Sequence, residues 1–138
     1  MGNTSSKRNY SVLLVDDDNF LLDIYSMKFK EHGCAITVES DPIKALEKLR
    51  QELDPDVILL DIIMPVMSGF DFLEAMKKEG LAKRAAIVIL SNQGQDEDVK
   101  HAMDLGADGY IVKASAIPSE VLEKTIQYAD KKHESAKP

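Results

Sequence analysis

Four consecutive large apolar residues, from Val57 to Leu60, are followed directly by Asp61. A short apolar run without a polar break is typical of a strand that is buried on both faces of a parallel sheet. Pro65 lacks a backbone N–H and Gly69 favours a break, so a loop must follow Asp61. Ligands bind at the carboxyl edge of open α/β sheets, so the sequence predicts that Asp61 lies at a ligand-binding edge.

Short apolar runs alternate five times with longer amphipathic runs, which is the pattern of repeated βα units around a parallel sheet. We predict strands over residues 12–15, 35–39, 57–60, 87–90 and 109–112. We predict helices over residues 19–32, from Pro42 onwards, and over 70–79, 96–105 and 117–132. The predicted fold class is therefore α/β, with a doubly wound (βα)5 arrangement and a five-stranded parallel sheet.

With 138 residues, of which 44% are hydrophobic, the chain is long enough for one domain. We predict that this domain covers residues 11–132, between a disordered N-terminal tail over residues 1–10 and a disordered C-terminal tail over 133–138. The N-terminal tail also matches a myristoylation pattern through Gly2 and Ser6, which a short Ser-rich segment satisfies easily by chance.

Charge and cysteine content narrow the classes of function. A net charge of −7 argues against direct binding to a nucleic-acid backbone, which needs clustered Lys and Arg. No apolar segment of the sequence is long enough to span a membrane, so we expect no membrane partner. The single cysteine, Cys34, excludes an internal disulfide and fits a reducing compartment, so we expect a cytoplasmic protein in which Cys34 is a small core residue.

Polar side chains follow four of the predicted strands, at Asp16 and Asp17, Asp61, Ser91 and Lys113. Taken singly, each has an ordinary explanation as a solvated turn, a helix cap or a surface lysine. Because the carboxyl ends of parallel strands meet at one edge, all five are expected to converge. Three carboxylates, a hydroxyl and an ammonium group together indicate a site for a hard cation and a phosphoryl group.

The chemistry of such a site requires these residue types. Crowded carboxylates repel one another, and a divalent cation relieves that repulsion. Mg²⁺ is the predicted cofactor, because it binds through one or two carboxylates together with water and phosphate oxygens. One carboxylate can then act as a nucleophile, while Lys113 and Ser91 stabilise the transferred oxygens.

Asp16-Asp17 after the first strand, the run D-I-I-M-P-x-M-S-G from Asp61, Ser91 after the fourth strand, and Y-I-V-K ending at Lys113 form a joint pattern. This pattern resembles the receiver domain of two-component response regulators over nearly the whole chain. The resemblance implies a flavodoxin-like strand order 2-1-3-4-5. It also implies that Asp61 is phosphorylated by a histidine kinase or a histidine phosphotransfer protein.

The same resemblance implies a role for each site residue. Asp17 would bind Mg²⁺ directly and Asp16 mainly through water, with Asp61 and the backbone carbonyl of Ile63 as further ligands. Asp61, Ser91 and Lys113 would form the catalytic set, with Ser91 and Lys113 contacting the phosphoryl oxygens. Ser91 and Tyr110 would form the switch that changes the face made by the fourth helix, fifth strand and fifth helix. That face would bind a downstream protein or form a phosphorylation-dependent dimer.

Three further expectations complete the interpretation. The chain is not expected to be an enzyme on other molecules, since only its own phosphorylation and dephosphorylation are implied. With only a charged tail after the last helix, it is expected to signal by contact. Ala114 follows Lys113 where the family commonly has proline, so we predict a trans Lys113–Ala114 peptide bond.

Two alternatives come from other classes of protein. The run V-L-L-V-D-D-D-N also resembles the nucleophile motif of haloacid-dehalogenase-type phosphatases, with Asp16 as nucleophile and Asp18 as acid/base. That alternative leaves the motif at Asp61 unexplained, and no strand-end acidic pair follows Lys113. The other alternative is an interaction module that is never phosphorylated, which is disfavoured because none of the required groups is missing.

Overall fold

The computed structural model describes residues 9–135 of the chain. Its strands are β1 (Ser11–Val15), β2 (Ala35–Glu39), β3 (Val57–Leu60), β4 (Ala86–Ser91) and β5 (Gly109–Val112). Its α-helices are α1 (Asn19–Glu31), α2 (Pro42–Arg50), α3 (Gly69–Glu79), α4 (Asp96–Asp104) and α5 (Pro118–Ser135). A single 3₁₀ turn, Lys113–Ser115, joins β5 to the segment before α5.

The five strands form one parallel sheet in the order β2-β1-β3-β4-β5, which confirms the predicted topology. The chain runs from β1 outward to β2 and then returns past β1 to β3. A topological switch point therefore lies between β1 and β3, where the loops after the two strands diverge and leave a crevice. Strand β2 at the edge is only partly buried, as its alternating sequence predicts.

Two apolar layers cover the sheet, one on each face. Alternate strand residues such as Leu13 and Ile58 point into a core shared with α2, α3 and Ala102 of α4. Their neighbours, such as Leu14 and Leu59, point into a core shared with α1 and α5. Burial on both faces explains why β3 reads as an unbroken apolar run, because no residue of that strand faces water.

Each of the first three α-helices begins directly after a residue whose side chain caps its N-terminus. The side chain of Asp18 accepts hydrogen bonds from the backbone N–H groups of Phe20 and Leu21 at the start of α1. Asp41 caps α2 in the same way, and Ser68 forms a reciprocal capping box with Asp71 at the start of α3. Each cap lies at the carboxyl edge of the sheet and fixes where the preceding loop must end.

The predicted tails are too long at both ends of the domain. Tyr10 is buried, although the sequence places it in the N-terminal tail, and α5 continues to Ser135 instead of ending at residue 132. The Tyr10 ring stacks on His133 with 5.6 Å between centroids, and its hydroxyl donates to Asp130 Oδ1 at 2.5 Å. His133 Nε2 donates to the backbone carbonyl of Asp56 at 2.9 Å. Packing between amphipathic side chains thus makes Tyr10 and His133 part of the folded domain.

Three further predictions concern the myristoylation pattern, the cysteine and a membrane span. Gly2 and Ser6, which carry the myristoylation pattern, lie outside the described residues. Cys34 is buried, as predicted for a core residue. Within residues 9–135, no helix combines the length and apolar character needed to cross a bilayer.

Candidate functional site

The polar strand-end residues come together at the carboxyl edge of the sheet. Asp16 directly follows β1, Asp61 directly follows β3, Ser91 ends β4 and Lys113 directly follows β5. These four strands are consecutive neighbours in the sheet, so their side chains line one cavity of about 350 Å³. Its walls are completed by Asp17, Asp18, Leu21, Ile63, Asn92 and Gln93.

The three predicted metal-binding carboxylates form a tight cluster. One carboxylate oxygen from each of Asp16, Asp17 and Asp61 lies within 4.8 Å of the others. Asp16 and Asp61 are only 1% and 7% exposed, whereas Asp17 is open to solvent. The cluster therefore combines two desolvated carboxylates with one that a hydrated ion can approach.

Lys113 is the cation that faces the two buried carboxylates. Its Nζ lies 2.8 Å from Asp16 Oδ2 and 3.3 Å from Asp61 Oδ2. Burial alone would lower the pKa of Lys113, but the two carboxylates together outweigh burial and raise that pKa. Burial raises the pKa of Asp61, Lys113 opposes that rise, and the nearby Asp16 adds to it. One ammonium group thus compensates two buried carboxylates only in part.

The structure fits the predicted bound cation. Asp16 Oδ2 is fully buried, and the ammonium group of Lys113 faces it at 2.8 Å. Its other oxygen, Oδ1, accepts the backbone N–H of Asp18 at 2.9 Å. A buried carboxylate beside two more carboxylates is a donor set that suits a hard cation.

The loop after β3 is held close to Asp61 by backbone contacts. The Gly69 N–H donates to the Ile62 carbonyl at 2.8 Å, and a Cβ placed on Gly69 would lie 2.3 Å from the Asp61 carbonyl oxygen. Only glycine permits that approach. Val66, at the exposed tip, has φ +74°, and the flanking Met67 N–H donates to the Pro65 carbonyl at 2.8 Å, which closes a γ-turn. These contacts set the path of the loop, and within it Asp61 Oδ1 also accepts the Ile62 N–H at 2.8 Å.

Gln93 connects the two predicted switch residues through its backbone. Its N–H donates to Ser91 Oγ at 3.1 Å, and its carbonyl accepts a hydrogen bond from the Tyr110 hydroxyl. Desolvation, together with the charge of Asp98, raises the pKa of Tyr110 to about 12, so the phenol remains a donor at neutral pH. This link was not predictable from the sequence, because the bonding groups of Gln93 belong to its main chain.

The structure brings the predicted residues together as expected. Asp16, Asp17, Asp61, Ser91 and Lys113 line the same cavity, and exposed Ile63 lies at its rim. Tyr110 lies outside the cavity but is joined to it through Gln93. The Lys113–Ala114 bond is trans, as predicted. Sequence reasoning missed Leu21, an apolar wall residue that looks like part of the α1 core stripe.

A doubly wound parallel sheet with an acidic, cation-compatible cavity at its switch point defines an α/β protein of the flavodoxin-like class. The response regulator receiver domain family matches residues 12–127, which is most of the chain. The chain therefore belongs to the response regulator receiver domain family. Members of this family are signalling domains and not conventional enzymes.

Curated relatives agree with that assignment. The chain is 33% identical over 108 residues to the chemotaxis protein CheY of Halobacterium salinarum, covering 78% of this chain and 88% of that protein. It is also 33% identical over 114 residues to the response regulator SaeR of Staphylococcus epidermidis. That match covers 83% of this chain but 48% of SaeR, so the chain spans about half the length of that relative.

Solved structures show the same fold. The chemotaxis response regulator CheY4 of Vibrio cholerae superposes with a TM-score of 0.78 at 31% identity, covering 88% of this chain and 99% of that chain. A CheY-like receiver domain protein of Methanospirillum hungatei gives a TM-score of 0.82 at 25% identity, covering 94% and 100%. The phosphatase and interaction-module alternatives are not favoured by any of these matches.

The close approach of Gly69 to Asp61 generates a first prediction. Gly69→Ala should lower the free energy of unfolding by about 1–3 kcal/mol or more, because the new methyl group meets backbone atoms that cannot move aside. Urea unfolding measures this loss, and amide NMR shifts of Asp61 and Ile62 report whether the loop has moved.

Ser68→Ala is the matched control, since it perturbs the same helix start without the clash and should cost about 1 kcal/mol through the lost cap. Unchanged Asp61 and Ile62 shifts in Gly69→Ala would contradict the proposed role of the close approach.

Proposed function

We propose that Asp61 accepts a phosphoryl group from the phosphohistidine of a histidine kinase or a histidine phosphotransfer protein. The observation that carries the proposal is the buried Asp61 carboxylate, within 4.8 Å of Asp16 and Asp17 and beside Lys113. In the transfer, an Asp61 oxygen forms a bond to phosphorus as the histidine N–P bond breaks. The histidine leaves with the electron pair of that bond. Receiver-family membership supports this chemistry for the site.

Mg²⁺ is the proposed cofactor, held by Asp16, Asp17, Asp61 and the backbone carbonyl of Ile63. When bound, the ion supplies positive charge for the carboxylates and for the transferred oxygens. Solvent-exposed Asp17 is the side chain best placed to take up a hydrated ion, because the other two carboxylates already face Lys113. Asp16 would act mainly through water.

Lys113 and Ser91 are proposed to bind the phosphoryl oxygens. Lys113 Nζ is held between two carboxylates at 2.8 and 3.3 Å, so its charge is already oriented toward the reacting oxygen. Ser91 Oγ accepts a hydrogen bond from Gln93, which leaves its own proton available for donation. Asp61, Ser91 and Lys113 thus form the proposed catalytic set, which acts only on this chain's own phosphorylation and dephosphorylation.

The signal is proposed to leave the site through Ser91, Gln93 and Tyr110. If Ser91 turns toward a phosphoryl oxygen, its bond to Gln93 must adjust, and the Tyr110 hydroxyl is attached to the same residue. The face formed by α4, β5 and α5 would then change its preference for a downstream protein or for a second copy. We place these contacts in the cytoplasm, and the buried free thiol of Cys34 is compatible with that location.

The second prediction tests the acceptor. Asp61→Asn should abolish a base-labile mass increase of one phosphoryl group after incubation with acetyl phosphate and Mg²⁺, because the amide oxygen is not a competent nucleophile. Intact-mass spectrometry is the measurement. Asp18→Asn is the control, since it keeps the α1 cap and lies beside the cluster, and it should still be labelled. Labelling that survives Asp61→Asn but not Asp16→Asn would contradict the proposal and support the phosphatase alternative.

The third prediction concerns the metal. Mg²⁺ at one hundred times its dissociation constant should raise the free energy of unfolding by about 2.7 kcal/mol, because only the folded chain assembles the three carboxylates. Asp17→Asn should remove most of that gain, while Asp18→Asn should keep it. Chemical unfolding with and without Mg²⁺ compares them, and an undiminished gain in Asp17→Asn would exclude Asp17 as a ligand.

The fourth prediction tests the signal route. Beryllofluoride with Mg²⁺, a phosphoryl mimic, should change amide hydrogen exchange from Asn92 through α4 in the unmodified chain. Tyr110→Phe removes the hydroxyl bond to Gln93 and should weaken the change in α4 while leaving binding of the mimic intact. Tyr128→Phe on α5 is the matched control and should behave like the unmodified chain. Changes confined to the loops around Asp17 and Asp61 would rule the route out.

A further inference from the structure

A second cavity, of about 300 Å³, lies at the edge of the sheet away from the acidic cluster. Its floor is apolar and includes the buried side chains of Leu73, Met76 and Ile87. Residues 73, 76 and 77 lie on one stripe of α3, Gly80 caps the C-terminus of that helix, and Leu105 and Gly106 close the opposite side after α4. Its volume is at the small end of the range for small-molecule sites, which starts at about 300 Å³.

Lysine side chains surround this apolar floor. Lys77 and Lys83 have no carboxylate within 4.0 Å in the part of the chain that the structure describes, whereas Lys132 pairs with Asp108 at 3.3 Å. A Cβ placed on Gly80 would lie 3.1 Å from Lys83 Cε and 3.7 Å from its Nζ, so this ammonium group lies over the C-terminal end of α3. The dipole of α3 accounts for one lysine at this position. It does not account for two ammonium groups that lack a carboxylate partner within residues 9–135, beside an apolar cavity in a chain of net charge −7.

We propose that this cavity binds a small amphiphilic anion, with an apolar body against Leu73, Met76 and Ile87 and a carboxylate or similar anionic group between Lys77 and Lys83. Burial of a hydrocarbon group against the apolar floor is favourable, and the ammonium groups of Lys77 and Lys83 supply charge-assisted hydrogen bonds at the mouth. The site is separate from the acidic cavity, and its occupancy requires neither Mg²⁺ nor phosphorylation.

Occupancy of this cavity has a structural consequence for α4. Ala102 is the only buried residue of that helix, and α4 has no side-chain hydrogen bond at its N-terminal cap. A ligand in contact with Leu105 and Gly106 would therefore add packing where the helix has little of its own. The cavity gives small molecules a place to act on α4 that is remote from Asp61.

Octanoate is the test ligand, and the unmodified chain is titrated without Mg²⁺ or a phosphodonor while amide NMR shifts are recorded. Saturable shifts should cluster at Leu81, Ala82, Leu105 and Gly106, and octanol should bind at least about fivefold more weakly because it lacks the charge. The double variant Lys77→Gln/Lys83→Gln should lose about fivefold or more in octanoate affinity. Lys78→Gln, a neighbouring exposed lysine that does not line the cavity, is the matched control and should bind normally.

Two results would overturn the proposal. Absence of saturable shifts around the cavity would show that it is not a ligand site. Equal affinity for octanoate and octanol, with no loss in the double lysine variant, would show an apolar cleft without anion recognition. Because all three lysine substitutions are at exposed positions, circular dichroism of each variant should match the unmodified chain.

Discussion

The site depends on a charge imbalance: two buried carboxylates, Asp16 and Asp61, face a single ammonium group on Lys113. Burial raises the pKa of Asp61, so its ionised form is disfavoured in the folded chain. The loss of folding stability from ionised Asp61 is therefore present above the folded-state pKa of this group. The loss is relieved as the pH falls through that pKa and Asp61 takes up a proton. At neutral pH the same imbalance creates affinity for additional positive charge. If the carboxylates were fully compensated within the fold, the site would have little affinity for a cation and would gain little from the charge changes of phosphoryl transfer.

The scaffold maintains this arrangement through backbone geometry. Four neighbouring parallel strands end at the same edge of the sheet, which brings residues distant in sequence into one cavity. The Gly69 backbone then packs against the Asp61 carbonyl, and the γ-turn at Val66 lets the chain reverse within a few residues. A β-branched residue at φ +74° is unfavourable on its own, so the surrounding contacts must hold the loop in place. Rigid support is what a pre-organised site requires.

The sequence predicted the parts of this protein that follow from periodicity and from strand ends. The strand order and the convergence of Asp61, Ser91 and Lys113 belong to that group, because apolar runs and the residues after them are visible in one dimension. The missed parts depend on side chains that are polar in composition but pack in three dimensions. Tyr10 and His133 read as tail residues, yet they stack on each other. The link between Ser91 and Tyr110 passes through main-chain groups of Gln93, which leave no mark in the sequence.

The contact between Tyr10 and His133 has a practical consequence for working with this domain. It brings the beginning of β1 and the last turn of α5 together beneath the amino edge of the sheet, as the bond from His133 to the Asp56 carbonyl also requires. The acidic cavity opens at the other edge. A fluorescent protein or an affinity tag joined through a flexible linker after Ser135 would therefore be attached at the edge of the sheet opposite the carboxylate cluster. A chain immobilised or labelled in this way should keep the cavity accessible to another protein. A second label attached directly before Asn9 would start close enough to the first for energy transfer.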